Sequence, residues 1–425
     1  MNVHILAVGN HSAFFQTKTR WGWRGLLLAV GVALTAQAAV AQTYEQSLQA
    51  ARAADAQYSA QLASVSGRRV QSSQAGSAFY PQASVYYNQA DVAVNGRSTR
   101  NVVLTQPIFS YDRYLTLQQA DPLAALAEAD LGQANNDLAL RVFTAMADIV
   151  KNREQIRALG VQINGLEEQL RRATRMRELG QGTITDVSDF QVRVAVAQAN
   201  RVNLRNALQA ADRNFTLLTG LKADVQNIQA EVPVWNDPRS LGELVDFVRV
   251  NAPQARTAQL NVVLADIAAR RVKAQYLPQV SAQISRVQIS GGAAVDTNRV
   301  AITLSTPLGF STYYDGQRAA SELVRTQESL RFAQDSLATE TTRLDAAVRS
   351  YRDEVLIRRQ AVDGARLSVE ANVRSYQGGV KTNIDVITSY QTLADSEVAL
   401  VNTRLTLSEA ELRLSLVSKI PNETN

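Results

Sequence analysis

Cysteine is absent from this chain, histidine occurs twice, and nine of its 425 residues are proline. Both histidines, His4 and His11, lie within residues 1–41, a stretch that reads as a secretory signal. Lys18, Arg20 and Arg24 make a basic n-region, Leu26 to Leu34 is apolar, and Ala39-Val40-Ala41 has the small-x-small cleavage pattern. An uncleaved anchor is the alternative, but the apolar run is short for a membrane-spanning helix. With cleavage after Ala41, residues 42–425 carry neither Cys nor His. That excludes thiol nucleophiles, disulfides, Cys or His metal ligands, an imidazole base and the lipobox cysteine of an acyl-anchored protein. Carboxylate catalysis is left, and no carboxylate pair stands at a suggestive spacing. The chain reads as a non-enzyme that needs no cofactor.

A dominant charge is lacking too. The leader holds three of the 44 basic residues and none of the 39 acidic ones, so 41 basic residues remain against 39. This balance, without a basic run, argues against a nucleic-acid partner. No stretch of 18 apolar residues follows Ala41. Any membrane crossing must therefore be made by strands.

What is present occurs twice. Phe79-Tyr80-Pro81-Gln82-Ala83-Ser84 returns as Tyr276-Leu277-Pro278-Gln279-Val280-Ser281, an offset of 197. Gln106-Pro107-Ile108 returns as Thr306-Pro307-Leu308, an offset of 200. Gly180-Gln181-Gly182-Thr183-Ile184-Thr185-Asp186-Val187 returns as Gly379-Val380-Lys381-Thr382-Asn383-Ile384-Asp385-Val386, an offset of 199. Three landmarks in one order imply two structural repeats, 42–220 and 252–425, joined by a linker and equatorial segment, 221–251, with a short helix over Leu241 to Val250.

Helical material dominates each repeat. Helices are expected from Tyr44 to about Ser73, from Tyr114 to about Leu179 with Pro122 as an early interruption, and from Asp186 to about Leu218. The second set is Pro253 to Tyr276, Gln317 to about Gln377, and Asn383 to about Ser418. Gln317 to Gln377 is 61 residues without a proline, about 90 Å as one helix. Val187, Phe190, Val194, Ala197, Arg201, Leu204, Leu208, Ala211, Phe215 and Leu218 follow a heptad rhythm with Arg201 as the one offender. The partner helix has two stripes, one through Ala394, Val398, Val401, Leu405, Ser408, Leu412 and Ser415, the other through Val386, Leu393, Leu400, Leu407 and Leu414. Two stripes imply contacts on two sides, as in a ring of helices; a plain antiparallel bundle is the alternative.

Strands are expected at 81–91 and 99–109 around Val94-Asn95-Gly96-Arg97, and at 278–290 and 298–308 around Gly291-Gly292. In the last strand Val300, Ile302 and Leu304 share one face and Ala301, Thr303 and Ser305 the other, the alternation of a transmembrane barrel. The strand from Pro278 changes phase near Arg286, which implies a bulge or a membrane boundary. Four strands cannot close a barrel, so either chains combine or these are soluble hairpins.

A signal sequence, two copies of helix, hairpin, long helix, turn and helix, and a Gly-x-x-Thr-x-x-Asp-Val turn in each copy together resemble the TolC family of outer-membrane channel proteins. The resemblance covers nearly all of the chain after the leader. It implies a mainly α fold with a small β part, and a homotrimer whose strands form a twelve-stranded barrel in outer-membrane lipid, continued by a periplasmic helical barrel. It also implies an exit duct for type I secretion or multidrug efflux, working with a periplasmic adaptor and an inner-membrane pump, ABC or proton-driven. Adaptor contacts would fall on Gly180, Gly182, Thr183, Gly379, Lys381 and Thr382. A periplasmic gate would be formed by Tyr376 and Lys381 with Thr185 and Asp186, and Asp385 would ring the constriction. The family's arginine is Lys381 here, which keeps the charge without the bidentate fork. A second acidic ring is replaced by Thr388, which implies milder cation selectivity. Read without the family, Asp186 and Asp385 are helix N-terminal caps and the glycines are turn formers. A periplasmic coiled-coil scaffold without a channel is the competing function.

Overall fold

The computed structural model describes residues 42–89, 98–290, 295–306 and 310–419. The expected leader, the turns at Asn95-Gly96 and Gly291-Gly292, and Pro307-Leu308 lie outside the described residues. In chain order the elements are α1 (Tyr44–Ala54), α2 (Ala56–Ser77), β1 (Gln82–Gln89), β2 (Ser98–Phe109), α3 (Tyr111–Glu178) and α4 (Ile184–Thr219). Then come α5 (Leu241–Asn251), α6 (Pro253–Ala274), β3 (Gln279–Ser290), β4 (Val295–Ser305), α7 (Phe310–Gln377) and α8 (Asn383–Ser418). Helix lengths pair off: α1 and α5 have 11 residues, α2 and α6 have 22, α3 and α7 have 68, and α4 and α8 have 36.

Three helix expectations need correction. The helix from Tyr44 does not run unbroken to Ser73. Asp55 adopts extended backbone at φ −73° and ψ 119°, and its carboxylate accepts the Tyr58 N–H at 2.7 Å, capping α2. The same carboxylate takes both terminal nitrogens of Arg141 at 2.9 and 3.1 Å. An aspartate satisfied by a cap and a fork breaks the helix where composition alone would continue it. Pro122, by contrast, does not interrupt α3. It deletes one backbone bond, to Gln118, while the buried neighbours Leu115, Ala120, Ala127 and Ala129 keep the segment packed. Helix α7 begins at Phe310, seven residues before Gln317.

The four strands form one antiparallel sheet in the order β1-β2-β3-β4. Leu104, Ile284 and Val300 are mutual neighbours across it, as are Val85, Val102 and Arg286. Alternation then puts Val85, Val102, Leu104, Ile284, Val300, Ile302 and Leu304 on one face. Val300, Ile302 and Leu304 are exposed at 78%, 75% and 68%. The other face carries Ser84, Asn101, Thr105, Gln283, Ser285 and Thr303. β3 keeps register with both neighbours through Arg286, so its phase change is no bulge. The shift in pairing occurs instead at Pro107/Phe109, where Pro107 has no N–H to give.

The stripes on α4 and α8 point as expected. Phe190, Val194, Ala197, Ala211 and Phe215 are buried. On α8, Leu393 and Leu400 pack on Val362, Ala365 and Val369 of α7, while Leu405 and Leu412 join Leu138 and Val142 of α3. Buried carboxylates lock the α7–α8 pair: Arg352 reaches Glu411 at 2.7 Å and Arg366 reaches Glu397 at 2.8 Å. Residues 352 and 366, like 397 and 411, stand two heptads apart, so the antiparallel helices meet on the same rungs. Between α3 and α8, Gly165 makes room for Tyr390. A Cβ at Gly165 would stand 2.3 Å from two ring carbons of Tyr390.

Two outcomes follow for stability. Asp55→Ala removes a cap and leaves Arg141 unmatched, costing about 1–3 kcal/mol. The Arg141 guanidinium, ahead of the Tyr58 amide, holds the Asp55 carboxyl below the usual range. The difference from wild type therefore persists above about pH 4 and shrinks as pH falls through the depressed value. Urea titration of the helical signal at pH 7, 5 and 3 measures it; an equal gap at all three contradicts the assignment. Gly165→Ala gains about 1 kcal/mol of helix propensity yet lowers the urea midpoint, because Tyr390 must leave its seat. A raised midpoint would show that the ring is not seated there.

Candidate functional site: the two helix turns

Each long helix ends in the same backbone motif. Gly180 and Gly379 sit at φ 73° and 72°, in the left-handed region. Gln181 N–H donates to Met176 C=O at 2.8 Å and Gly180 N–H to Arg177 C=O at 3.0 Å. The counterparts are Val380 N–H to Ser375 C=O at 2.9 Å and Gly379 N–H to Tyr376 C=O at 3.1 Å. Both are Schellman terminations, which require a residue without Cβ strain at the left-handed position. Gly182 serves differently: a Cβ there would lie 3.0 Å from the Arg177 backbone nitrogen.

Threonines then start the next helices. Thr183 Oγ1 accepts the Asp186 N–H at 3.1 Å and donates to the Asp186 carboxylate at 2.7 Å. In the second turn the Asp385 carboxylate accepts the Thr382 N–H at 2.9 Å and the Thr382 hydroxyl at 2.8 Å. The Thr382 amide, first, and its hydroxyl hold the Asp385 carboxyl below the usual range, with Lys381 adding in the same direction. Asp186 and Asp385 are thus both engaged as helix-start residues within the chain.

The expected gate residues fall within this end of the molecule. Tyr376 leaves α7 beside Phe190 of α4, ring centroids 6.3 Å apart and edge to face. Burial raises its phenol pKa, and the nearby Asp186 charge adds to the rise. Lys381 Nζ lies 3.5 Å from its own turn's Asp385, so within one chain it faces that carboxylate. Thr185 is exposed on the first turn of α4. Above the turns, Leu166 and Ala173 of α3, Phe190 and Val194 of α4, and Ile387 of α8 form one buried cluster, flanked by Tyr376 and Tyr390.

Sequence reasoning missed two polar ties between helices distant in the chain. Asn383 Nδ2 donates to Asp189 Oδ2 at 3.1 Å, joining the start of α8 to α4. Gln162 of α3 donates to Gln391 of α8 at 2.7 Å, and Gln391 donates to Asp395 at 3.0 Å. The glutamines border a groove of about 510 Å³ between α3, α4 and α8, lined also by Arg193, Asn200 and Thr388. Nothing in local spacing marks these pairs, since their members stand 194 and 229 residues apart. The one available signal was Gly165, a glycine inside a long helix, which marks close approach by a neighbour.

No family model matches the chain. Among curated proteins it is similar to the alkaline protease secretion protein AprF of Pseudomonas aeruginosa, 22% identical over 334 residues, covering 76% of this chain and 69% of AprF. It is likewise similar to the outer membrane protein TolC of Escherichia coli, 23% identical over 342 residues, covering 75% of this chain and 68% of TolC. Among solved structures, the outer membrane protein VceC of Vibrio cholerae shares the fold with a TM-score of 0.72 at 16% identity, covering 88% of this chain and 95% of VceC. Paired long helices, a four-stranded sheet and these relatives agree: the chain is similar in sequence and in fold to the TolC-like outer-membrane channel proteins.

Proposed function

We propose that this protein is the outer-membrane exit duct of a tripartite export machine. The observation that carries the reading is the exposed apolar face of the sheet on a chain with no helix, among the described residues, long and apolar enough to cross a membrane. The strands cross the outer membrane and the helices extend into the periplasm. Four strands from each of three chains close the barrel, and substrates pass without chemistry or cofactor. A coiled-coil scaffold has no use for a row of bare Val300, Ile302 and Leu304. Type I protein secretion is the favoured branch, supported by relatives named for protease secretion and by the absence of any cysteine for a lipid anchor. The pump is then of the ABC kind.

The helix turns form the docking and gating end. Gly180, Gly182, Thr183, Gly379, Lys381 and Thr382 offer themselves to the adaptor. Tyr376 and Lys381 reach toward Thr185 and Asp186 to hold the end shut, and Asp385 lines the constriction. Lys381 has two carboxylates to choose between, Asp385 on its own turn and Asp186 across the closed tip. A hydrogen bond to a charged group contributes about 1.5–3 kcal/mol, so three symmetric copies give roughly 5 kcal/mol, enough to hold a two-state gate.

A photo-crosslinking residue in place of Lys381 in living cells is expected to capture a periplasmic adaptor, identified by mass spectrometry. Capture of its own chain alone contradicts docking at this turn. In planar bilayers, Tyr376→Phe with Lys381→Ala is expected to raise single-channel conductance several-fold; an unchanged value removes the gate assignment. Asp385→Asn is expected to move the reversal potential in a salt gradient away from cation preference, and no movement removes Asp385 from the pore.

A further inference from the structure

The faces of the sheet settle which charges meet lipid. Arg100 of β2 and Arg286 of β3 share the face of Val102, Leu104, Ile284 and Val300, by register and alternation. Both stand toward the hairpin ends, where the apolar residues of this face give out. Arg286 is held by Asp296, its nitrogens 2.7 and 3.2 Å from the two carboxylate oxygens. Gln288 also donates to Asp296, at 3.2 Å. Arg100 has no carboxylate partner among the described residues. Its guanidinium lies 5.7 Å over the ring of Tyr87, its direct cross-strand neighbour. Among the described residues of this face Arg286 cancels Asp296, which leaves one net positive charge near the hairpin ends, on Arg100. Arg299 of β4 stands near the same level but on the opposite face, paired with Ser285.

We propose that Arg100, seated on Tyr87 and flanked by Arg286, binds a phosphate of the lipid A headgroup in the outer leaflet. The proposal rests on the duct reading, which puts the helices in the periplasm and the hairpin ends outward. An arginine at the edge of an apolar band sits where headgroups begin, and Tyr87 has the amphipathic ring that favours that depth. A guanidinium fork matches phosphate oxygens, and stacking on an aromatic ring holds it ready. The apolar band beside it takes the acyl chains.

The test uses full-length protein extracted from outer membranes, with binding of bis-phosphorylated lipid A and of dephosphorylated lipid A read by native mass spectrometry. Wild type is expected to prefer the phosphorylated lipid. Arg100→Gln is expected to bind it about tenfold more weakly, the loss of one charge-assisted hydrogen bond. Arg299→Gln, on the other face, is expected to bind as wild type does. Equal binding of the two lipids by wild type, or equal loss in both variants, overturns the proposal. Should Arg100→Gln not reach the membrane, Arg100→Lys decides: a loss of a few-fold is expected, and no loss overturns it. Wild-type protein released from cells without detergent would instead overturn the duct reading itself, and this inference with it.

Discussion

Backbone N–H and C=O groups in hydrocarbon have no water to pair with, so a sheet that crosses a membrane must leave no open edge. In this chain β2 and β3 are paired on both sides, while β1 and β4 each have one neighbour. A single copy therefore cannot rest in a bilayer. Its apolar face calls for lipid, and its two edges call for another strand. β1 runs away from the helices and β4 runs toward them, so β4 of a second copy is antiparallel to β1 of the first. Closure by identical copies meets both demands at once.

The helices work under a different constraint. Helices of 68 residues are about 100 Å long, and local chemistry fixes where they end. Matched Schellman turns and threonine starts supply that. Sideways, α8 touches both α7 and α3, and buried Arg–Glu rungs set its register on α7. The short helices follow the same plan. α1 and α5 match in length, each is followed after one extended residue, Asp55 or Ala252, by a 22-residue helix, and each starts with a capping box. We read Leu241–Asn251 as the first helix of the second repeat, 197 residues after Tyr44–Ala54, with the linker ending before it.

Much of this was legible in the sequence because it is written in period and punctuation. Glycine and threonine at fixed offsets marked the turns, and the heptads of α4 and α8 marked buried faces. Alternation in Val300 to Ser305 gave the two faces of β4. What was not legible depends on partners distant in sequence. Asp55 breaks a helix because Arg141 waits 86 residues away, and Pro122 is tolerated because of packing. Asn383 finds Asp189 only once the starts of α8 and α4 lie side by side. Of the two readings of the phase change at Arg286, a bulge or a membrane boundary, unbroken register removes the bulge, and the change is one of which face is apolar, with Asp296 across the strand pair to match the charge.

The absence of cysteine makes the edge constraint directly measurable. Val85→Cys on β1 can be combined in turn with Asn298→Cys, Val300→Cys or Ile302→Cys on β4, all on the lipid-side face, and oxidised in intact outer membranes. One of these pairs is expected to give a covalent ladder that stops at three chains, since closure leaves no further edge. Ladders that run on past three chains, or no intermolecular bond for any pair, would contradict a barrel closed by three copies.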